Sequence, residues 1–413
     1  MKCRHCHSEL HLPVLDLESA PPSNAYLTPE ILHAPESWFP LRLLVCEHCW
    51  LVQTEDYAGR EQLFTDDYAY FSSYSTSWLA HAKIYVEGVI PRLGLSQSSM
   101  VAEIAANDGY LLQYVAAAHI PCYGIEPTAS TAQAARTKGL EIHEEFFGLT
   151  FADTLLAQGK QADLIIANNV LAHVPDINDF LGGVALLLKP GGVATFEFPH
   201  LLRMVQGCQF DTAYHEHYSY LSLTALDTIT AAAGLQIFDV DHLSTHGGSL
   251  RIYAQRSDAG KFPVAPAVKA TREAEVAAGI RTAAFYRQFQ SEALRIKYEL
   301  LQFLLRAKTT GATVGAYGAA AKGNTLLNFA GIRRDLLPFV VDLNPAKQGK
   351  YMPGSRIPIV DEAHLKTTQP DYILILPWNL RPEIMSQLGY ASSWTARFVT
   401  AVPALTITEV TST

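Results

Sequence analysis

The chain has 413 residues, more than one hydrophobic core usually organises, so two or three domains are expected. Apolar residues make up 49% and charged residues 17%, a globular composition that excludes a disordered chain. A formal charge of -9 argues against a broad grip on nucleic acid or anionic membrane, so neither is an expected partner. No apolar run approaches the roughly 20 residues needed to span a bilayer. Lys2, Arg4 and Glu9 follow Met1 where a signal peptide would have its apolar core, so a cytoplasmic location is expected.

Four of the six cysteines form two tight pairs, Cys3-Arg-His-Cys6 and Cys46-Glu-His-Cys49. Each pair can turn two thiolates toward one centre, and together they supply the four soft ligands of a structural zinc site. With every position taken by sulfur, the metal would hold this segment folded and leave no place for substrate. His5, His7 or His48 could replace one thiolate. Pro13, Pro21, Pro22, Pro29, Pro35 and Pro40 crowd the stretch between the pairs, which therefore reads as loop with short strands.

The middle of the chain alternates strands and helices. Val101 to Ile104 is an apolar strand, Ala105 to Gly109 a turn, and Tyr110 to Ala118 has helical character. Cys122 to Glu126 is a second strand, ending in a carboxylate 23 residues after Glu103, where an acid can grip the two hydroxyls of an adenosine ribose. A strand over 162–167 leads into Asn168 and Asn169, and Leu186 to Gly192 turns into a strand over 193–198 that contains Glu197. The first turn lacks the G-x-G-x-x-G that a dinucleotide needs, which weakens a nicotinamide reading.

Acidic first strand, acidic second strand, Asn-Asn loop and Leu-Lys-Pro-Gly-Gly turn, in that order, resemble the class I S-adenosylmethionine methyltransferases. Leu235 to Val240 and Ser249 to Ala254 would be their closing antiparallel strands. That resemblance implies Glu103, Asn107, Asp108, Gly109, Glu126, Asn168 and Asn169 as cofactor-binding residues. The chain departs from the pattern at Ala105, where such enzymes usually have glycine, and an extra methyl there would crowd the methionine end of the cofactor.

Asp211-Thr-Ala-Tyr-His-Glu-His-Tyr-Ser-Tyr220 is the densest set of proton-handling side chains in the sequence. If it is extended, Tyr214 and Glu216 project one way and His215 and His217 the other; if helical, Tyr214 and His217 share a face. His217 can titrate near neutrality, Glu216 can orient it, and Tyr214 can donate to an oxyanion. A metal site or a structural turn are the competing readings of the cluster. Arg281 to Lys308 carries an imperfect helical stripe expected to pack against a neighbouring domain. A second Rossmann-like unit follows: a strand over 313–317, the Gly318 to Lys322 turn, a helix over 324–330, and strands over 337–341 and 372–376. Its turn can meet a phosphate through backbone amides, with Lys322, Lys347 and Lys350 adding charge, and Trp378 and Asn379 can line the same cleft.

From end to end the chain resembles the nucleotide-sugar C-methyltransferases that branch deoxysugars. The matching stretches are 68–74 (Tyr-Ala-Tyr-Phe-Ser-Ser-Tyr), Asn107-Asp108-Gly109, Tyr214-His-Glu-His217, His246-Gly-Gly-Ser-Leu-Arg251, Gly318-Ala-Ala-Ala-Lys-Gly-Asn324 and Lys347-Gln-Gly-Lys-Tyr-Met-Pro-Gly354. The resemblance implies an α/β protein of three units: a zinc-binding domain over 1–65, a methyltransferase domain over 66–265 and a Rossmann-like nucleotide-sugar domain over 266–413. It implies S-adenosylmethionine and structural zinc as cofactors, and a nucleoside-diphosphate-linked keto-deoxysugar as substrate. His217 would be the base, with Tyr214, Glu216 and Tyr70 as its catalytic neighbours. Tyr68, Tyr74, Glu197, His246, Lys322, Asn324, Lys347 and Lys350 would contact substrate. An O- or N-methyltransferase and an inactive zinc-dependent binding module are the alternatives, and the oligomeric state is open.

Overall fold

A computed structural model of the chain describes residues 1–55, 57 and 71–409. Among these residues three sheets form, and each strand below is numbered by its place in the chain. The first sheet is antiparallel, with Leu12–Ala20 (β1), Phe39–Val45 (β2) and Val52–Thr54 (β3) joined by Ser219–Tyr220 (β9) in the order β1-β2-β3-β9. The proline-rich stretch thus holds longer strands than expected. Pro13 lies on the edge strand β1, and Pro40 lies in the part of β2 that pairs only with β1, before the register with β3 begins at Leu43. Neither ring removes a bond from a doubly paired segment, which is where proline is tolerated in a sheet.

The second sheet contains Val101–Ile104 (β4), Cys122–Ile125 (β5), Ile142–His143 (β6), Ala162–Asn168 (β7), Leu188–Pro199 (β8), Leu235–Leu243 (β10) and Ser249–Arg256 (β11). Its order is β10-β11-β8-β7-β4-β5-β6, parallel from β6 through β8, with β11 antiparallel to both β8 and β10. The parallel strands are buried on both faces, as their near-continuous apolar runs require, with crossover helices such as Leu112–Ala117 and Ile177–Leu187 covering them. The expected turn at Pro190 to Gly192 is an irregularity inside β8, where the register with β7 jumps between Ala162 and Leu164. Strand order reverses between β4 and β7, which opens a crevice at their carboxyl ends. The fold is Rossmann-like, with the antiparallel closing strands in the expected places.

The third sheet holds Val314–Tyr317 (β12), Val340–Val341 (β13), Ile359–Val360 (β14), Tyr372–Ile375 (β15), Arg397–Thr400 (β16) and Thr406–Glu409 (β17). It is ordered β14-β13-β12-β15-β16-β17 and is parallel except for β17. Its helix Ala321–Phe329 begins three residues earlier than the sequence implies, which places Lys322 in the first turn. The connecting helix Phe289–Thr310 buries Phe289, Ala293, Ile296, Leu300, Leu304 and Ala307, a stripe at helical spacing, and ends at Gly311 with φ 78. That stripe shares one core with Leu15, Leu41 and Leu43 of the first sheet and with Val314 and Leu326 of the third. The outer sheets are therefore packed together through this helix, and Leu300→Ala would cost about 2–5 kcal/mol.

Candidate active site

The amino-terminal metal site is assembled by two similar knuckles. His7 N–H bonds Cys3 O at 3.0 Å and Trp50 N–H bonds Cys46 O at 2.8 Å, with His7 and Trp50 both at positive φ. The sulfurs of Cys3, Cys6, Cys46 and Cys49 lie within 4.8 Å of one another, with nearest pairs at 3.5 Å. Four ligands at about 2.3 Å from one zinc stand about 3.8 Å apart, so these thiols fit the ion. His5 is turned aside to Asn178 Oδ1, 2.7 Å away, and Gln53 donates to Cys3 Sγ. The second knuckle runs directly into β3.

The central crevice collects the carboxylates expected to meet the cofactor. Glu126, just past β5, accepts from Asn107 N–H at 2.9 Å, Thr128 N–H at 3.0 Å and the Thr131 hydroxyl at 3.0 Å. It thereby ties the Ala105–Gly109 turn to the next helix. Glu103 Oε2, Asp108 Oδ1, Asn168 Oδ1 and Asn169 Nδ2 are buried without partners among the described residues. Such orphaned donors and acceptors around one switch point fit a polar ligand of the adenosine and amino-acid type. Burial drives Glu103 well above the usual carboxylate range and raises Glu126 as well.

The two alanines of the turn sit in different settings. Ala105 takes φ 54, the left-handed region that glycine enters freely, at a cost of about 1 kcal/mol. Ala106 is fully buried toward β5, where a Cβ on Gly124 would sit 2.7 Å from its methyl. The Ala106 methyl therefore packs inward, and the glycine that makes room for it stands on β5. Gly109, at φ 75, has no space for a side chain: a Cβ would lie 2.4 Å from Leu140 Cδ1.

Ser72 N–H bonds Asn107 Oδ1 at 2.9 Å, and Ser73 N–H bonds Asp108 Oδ2 at 3.3 Å, so the segment after residue 70 sits on the Ala105–Gly109 turn. Tyr74 is 63% exposed and packs on Phe71. Tyr68 and Tyr70 lie outside the described residues.

Phe210–Thr212 is a short helical turn, and Tyr214 to His217 forms a second turn closed by His217 N–H to Tyr214 O at 3.0 Å. Tyr214 and His217 consequently share a side, and the Tyr214 hydroxyl is 2.7 Å from His217 Nε2. His217 Nδ1 faces Thr212 O at 3.1 Å. A carbonyl only accepts, so Nδ1 carries the proton and Nε2 presents its lone pair. Burial, then the nearby His173, hold His217 well below the ordinary histidine range, with His246 and Lys322 adding to the effect. Thr212, not Glu216, orients the imidazole. The Glu216 carboxylate turns to Asn24, accepting from its side chain at 3.1 Å and its backbone at 3.3 Å, while Oε2 is buried without a partner. His215 bonds Phe39 O and Pro40 O at 3.2 and 3.3 Å.

Glu197, expected to touch substrate, is instead locked in a buried pair. Its carboxylate is 0% exposed and is bound by His81 at 2.9 Å, Thr245 at 3.3 Å and Arg251, its register partner on β11. Burial alone would raise this acid, but His81 and Arg251 outweigh it and hold the carboxyl below its usual range. His246, at φ 54, meets the Trp78 ring at a tilt with centroids 5.2 Å apart, and Trp78 in turn stacks on Tyr110 beside the Ala105–Gly109 turn.

From the third sheet, Lys322 donates to Asn379 Oδ1 at 2.6 Å and sits 4.5 Å from the Trp378 ring. Burial lowers its pKa, partly opposed by Asp211. Lys347 donates to Ala319 O at 2.9 Å, beside Asp342, and lies over Tyr26. Lys350 is half-buried and joins Lys347 through its backbone N–H. Both side-chain amide atoms of Asn324 are buried without protein partners.

His173 was not singled out by the sequence, yet its ring lies 4.6 Å from that of His217, and its Nδ1 bonds Glu216 O at 2.8 Å. Burial pushes it down to about 4. Its one signal is position: it follows Asn169 by four residues in the loop after β7, so one loop borders both the central crevice and the His217 ring.

A family profile for the C-terminal domain of C-methyltransferases matches residues 244–403, a zinc binding domain profile residues 3–64 and a methyltransferase domain profile residues 79–240. The C-methyltransferase NovU of Streptomyces niveus is 32% identical over 412 residues, spanning 100% of this chain and 98% of its own. The ubiquinone biosynthesis O-methyltransferase of Bordetella avium is 30% identical over 105 residues, 25% of this chain and 44% of that protein.

Proposed function

Because the chain belongs to the S-adenosylmethionine-dependent C-methyltransferases, we propose that it methylates the carbon beside the ketone of a nucleoside-diphosphate-linked 4-keto-6-deoxyhexose. The observation that carries this reading is the Tyr214–His217 pair, a neutral imidazole whose lone pair is met by a phenol. Carbon becomes a nucleophile only after its proton is removed, so a C-methyltransferase needs a base that an O-methyltransferase can often do without.

His217 Nε2 takes the α-proton, and the C–H electron pair moves into the enolate. The Tyr214 hydroxyl, displaced from Nε2 by substrate, donates to the enolate oxygen. Glu216 Oε2 is an acceptor for a sugar hydroxyl or amino group, and His173 keeps the opposite wall polar and uncharged. Glu126 would hold the cofactor ribose, and Glu103, Asp108, Asn168 and Asn169 the remainder of that molecule. When bound, S-adenosylmethionine supplies the electrophilic methyl group. The proton on His217 leaves to water once the product has gone.

Lys322, Lys347, Lys350 and the amide of Asn324 would meet the diphosphate and nucleoside at the start of the helix Ala321–Phe329. On this reading the units divide as 1–65, 66–265 and 266–413. The test is mass spectrometry of nucleotide-linked 4-keto sugars incubated with enzyme and S-adenosylmethionine. A gain of one methyl on some member, largely lost in His217→Asn, is expected; undiminished transfer by the variant removes His217 as the base.

A further inference from the structure

The turn that orients His217 is gripped by the third sheet's unit at three successive places. Phe210 meets Phe329 edge to face at 5.6 Å. Asp211 Oδ2 accepts the Trp378 indole N–H at 2.8 Å. The carbonyl of Ala213 accepts the Thr325 hydroxyl at 2.8 Å. Between the last two contacts stands Thr212, whose carbonyl fixes the Nδ1 proton of His217. On the inner side, Gln209 closes the same turn by donating to Gly247 O at 2.9 Å. Trp378 lies so tightly on Gly247 that a Cβ there would be 2.5 Å from its ring.

From these contacts the geometry points to Trp378 and Thr325 as positioning residues for proton abstraction, acting through Asp211 and Ala213 on the carbonyl that aims the imidazole. This deepens the proposed reaction and rests on His217 as its base. Lys322, one helical turn before Thr325, rests on the Trp378 ring and bonds the adjacent Asn379. A phosphate drawn to Lys322 thus arrives against the same indole that holds Asp211. The unit that binds the nucleotide also sets the angle of the base, so a sugar presented without its nucleotide meets a less constrained imidazole. Asp211 is suited to linking the two units. It is fully buried, its Oδ1 has no partner among the described residues, and its loss would take from the indole N–H the acceptor it bonds.

The test is solvent-deuterium exchange at the α-carbon of the methyl acceptor, followed by mass spectrometry on the full-length, zinc-loaded enzyme with cofactor present. Trp378→Phe keeps the ring and removes the N–H; Thr325→Val keeps the shape and removes the hydroxyl. Each should slow maximal exchange by about tenfold with KM for the sugar nucleotide nearly unchanged, because displacement of a base acts on the rate rather than on binding. Asp211→Asn, whose amide oxygen still accepts the indole N–H, should retain most of the rate that Asp211→Leu loses. His217→Asn is run beside them. If His217→Asn abolishes exchange but Trp378→Phe and Thr325→Val do not slow it, the positioning role fails alone. A loss confined to KM, or equal losses in Asp211→Asn and Asp211→Leu, also overturns it. Undiminished exchange in His217→Asn overturns both this inference and the base assignment. Should Trp378→Phe fail to fold, Thr325→Val decides the matter.

Discussion

Removing zinc should disable the base while sparing the cofactor crevice. The second cysteine knuckle leads at once into β3, and β3 pairs with β9 just after the turn that carries the proposed base, His217. Thr54 N–H bonds Tyr218 O at 3.1 Å, the Thr54 hydroxyl bonds His217 O at 3.0 Å, and Arg4 reaches Thr54 O from the first knuckle while stacking on Tyr218. A chelator that empties the four thiolates removes the anchor at the amino end of β3 and loosens its far end at Thr54, leaving the strand held by its pairing with β2 and β9 alone. Losing the two Thr54 bonds at about 1 kcal/mol each reduces the aligned population of His217 by about 30-fold. The Glu126 contacts to Asn107, Thr128 and Thr131 involve no residue of the first sheet. Calorimetry should therefore find S-adenosylmethionine affinity nearly unchanged in metal-free protein, while α-proton exchange falls and returns on zinc addition. Full exchange without metal, or parallel loss of both properties, would refute the reasoning.

Glu126→Ala should weaken S-adenosylmethionine binding about 10- to 100-fold by calorimetry, since it removes a charged acceptor and loosens the turn it anchors. Glu275 is a buried carboxylate bonding His200, the Leu223 and Thr224 amides and the Thr224 hydroxyl, so Glu275→Ala should cost about 3–5 kcal/mol in denaturant unfolding. For activity, the histidine shift places the acid limb of kcat/KM below pH 6.5, because burial, His173, His246 and Lys322 all favour the neutral ring; a midpoint at 6.5 or above would contradict it. For stability, His173 is held down at about 4 in the folded chain, so its contribution is intact above pH 6.5 and is lost as pH falls toward 4. His173→Asn should therefore lose less stability than wild type over that window, by at most about 3 kcal/mol in urea titrations.

The parts of the molecule that could be read from sequence are those with a repeating or compositional signal. Val101 to Ile104 and 162–167 are apolar runs bounded by turn residues, and they become neighbouring strands of the central sheet. The four cysteines announce their cluster by spacing alone. What escaped was carried by the backbone or by remote pairing. Thr212 acts through its carbonyl, which every residue type possesses, so no side chain marks it. A two-residue strand such as β9 has no periodicity, and its pairing with β3 joins positions more than 160 residues apart. Glu216 sits between two histidines in sequence, but a turn rather than an extended segment sends its carboxylate to Asn24 instead. His173 stands alone in its loop, and only the closure of the chain brings it against His217.

On the proposed chemistry, the low pKa of His217 is a condition of the design rather than a defect. A buried imidazole that stays neutral is ready to accept a proton at any pH near 7, but it is a weak base for a carbon acid. The deficit is met by the charge created in the same step. Imidazolium and enolate about 4 Å apart attract by about 4 kcal/mol at an effective dielectric near 20, and by only about 1 kcal/mol in water. That attraction exists only while the ring is aimed at the departing proton and water is kept out. Distance and angle therefore decide the rate more than basicity does. On this chemistry, a segment built of two short turns gains from being tied down by Thr54 from one side and by Thr325 and Trp378 from the other.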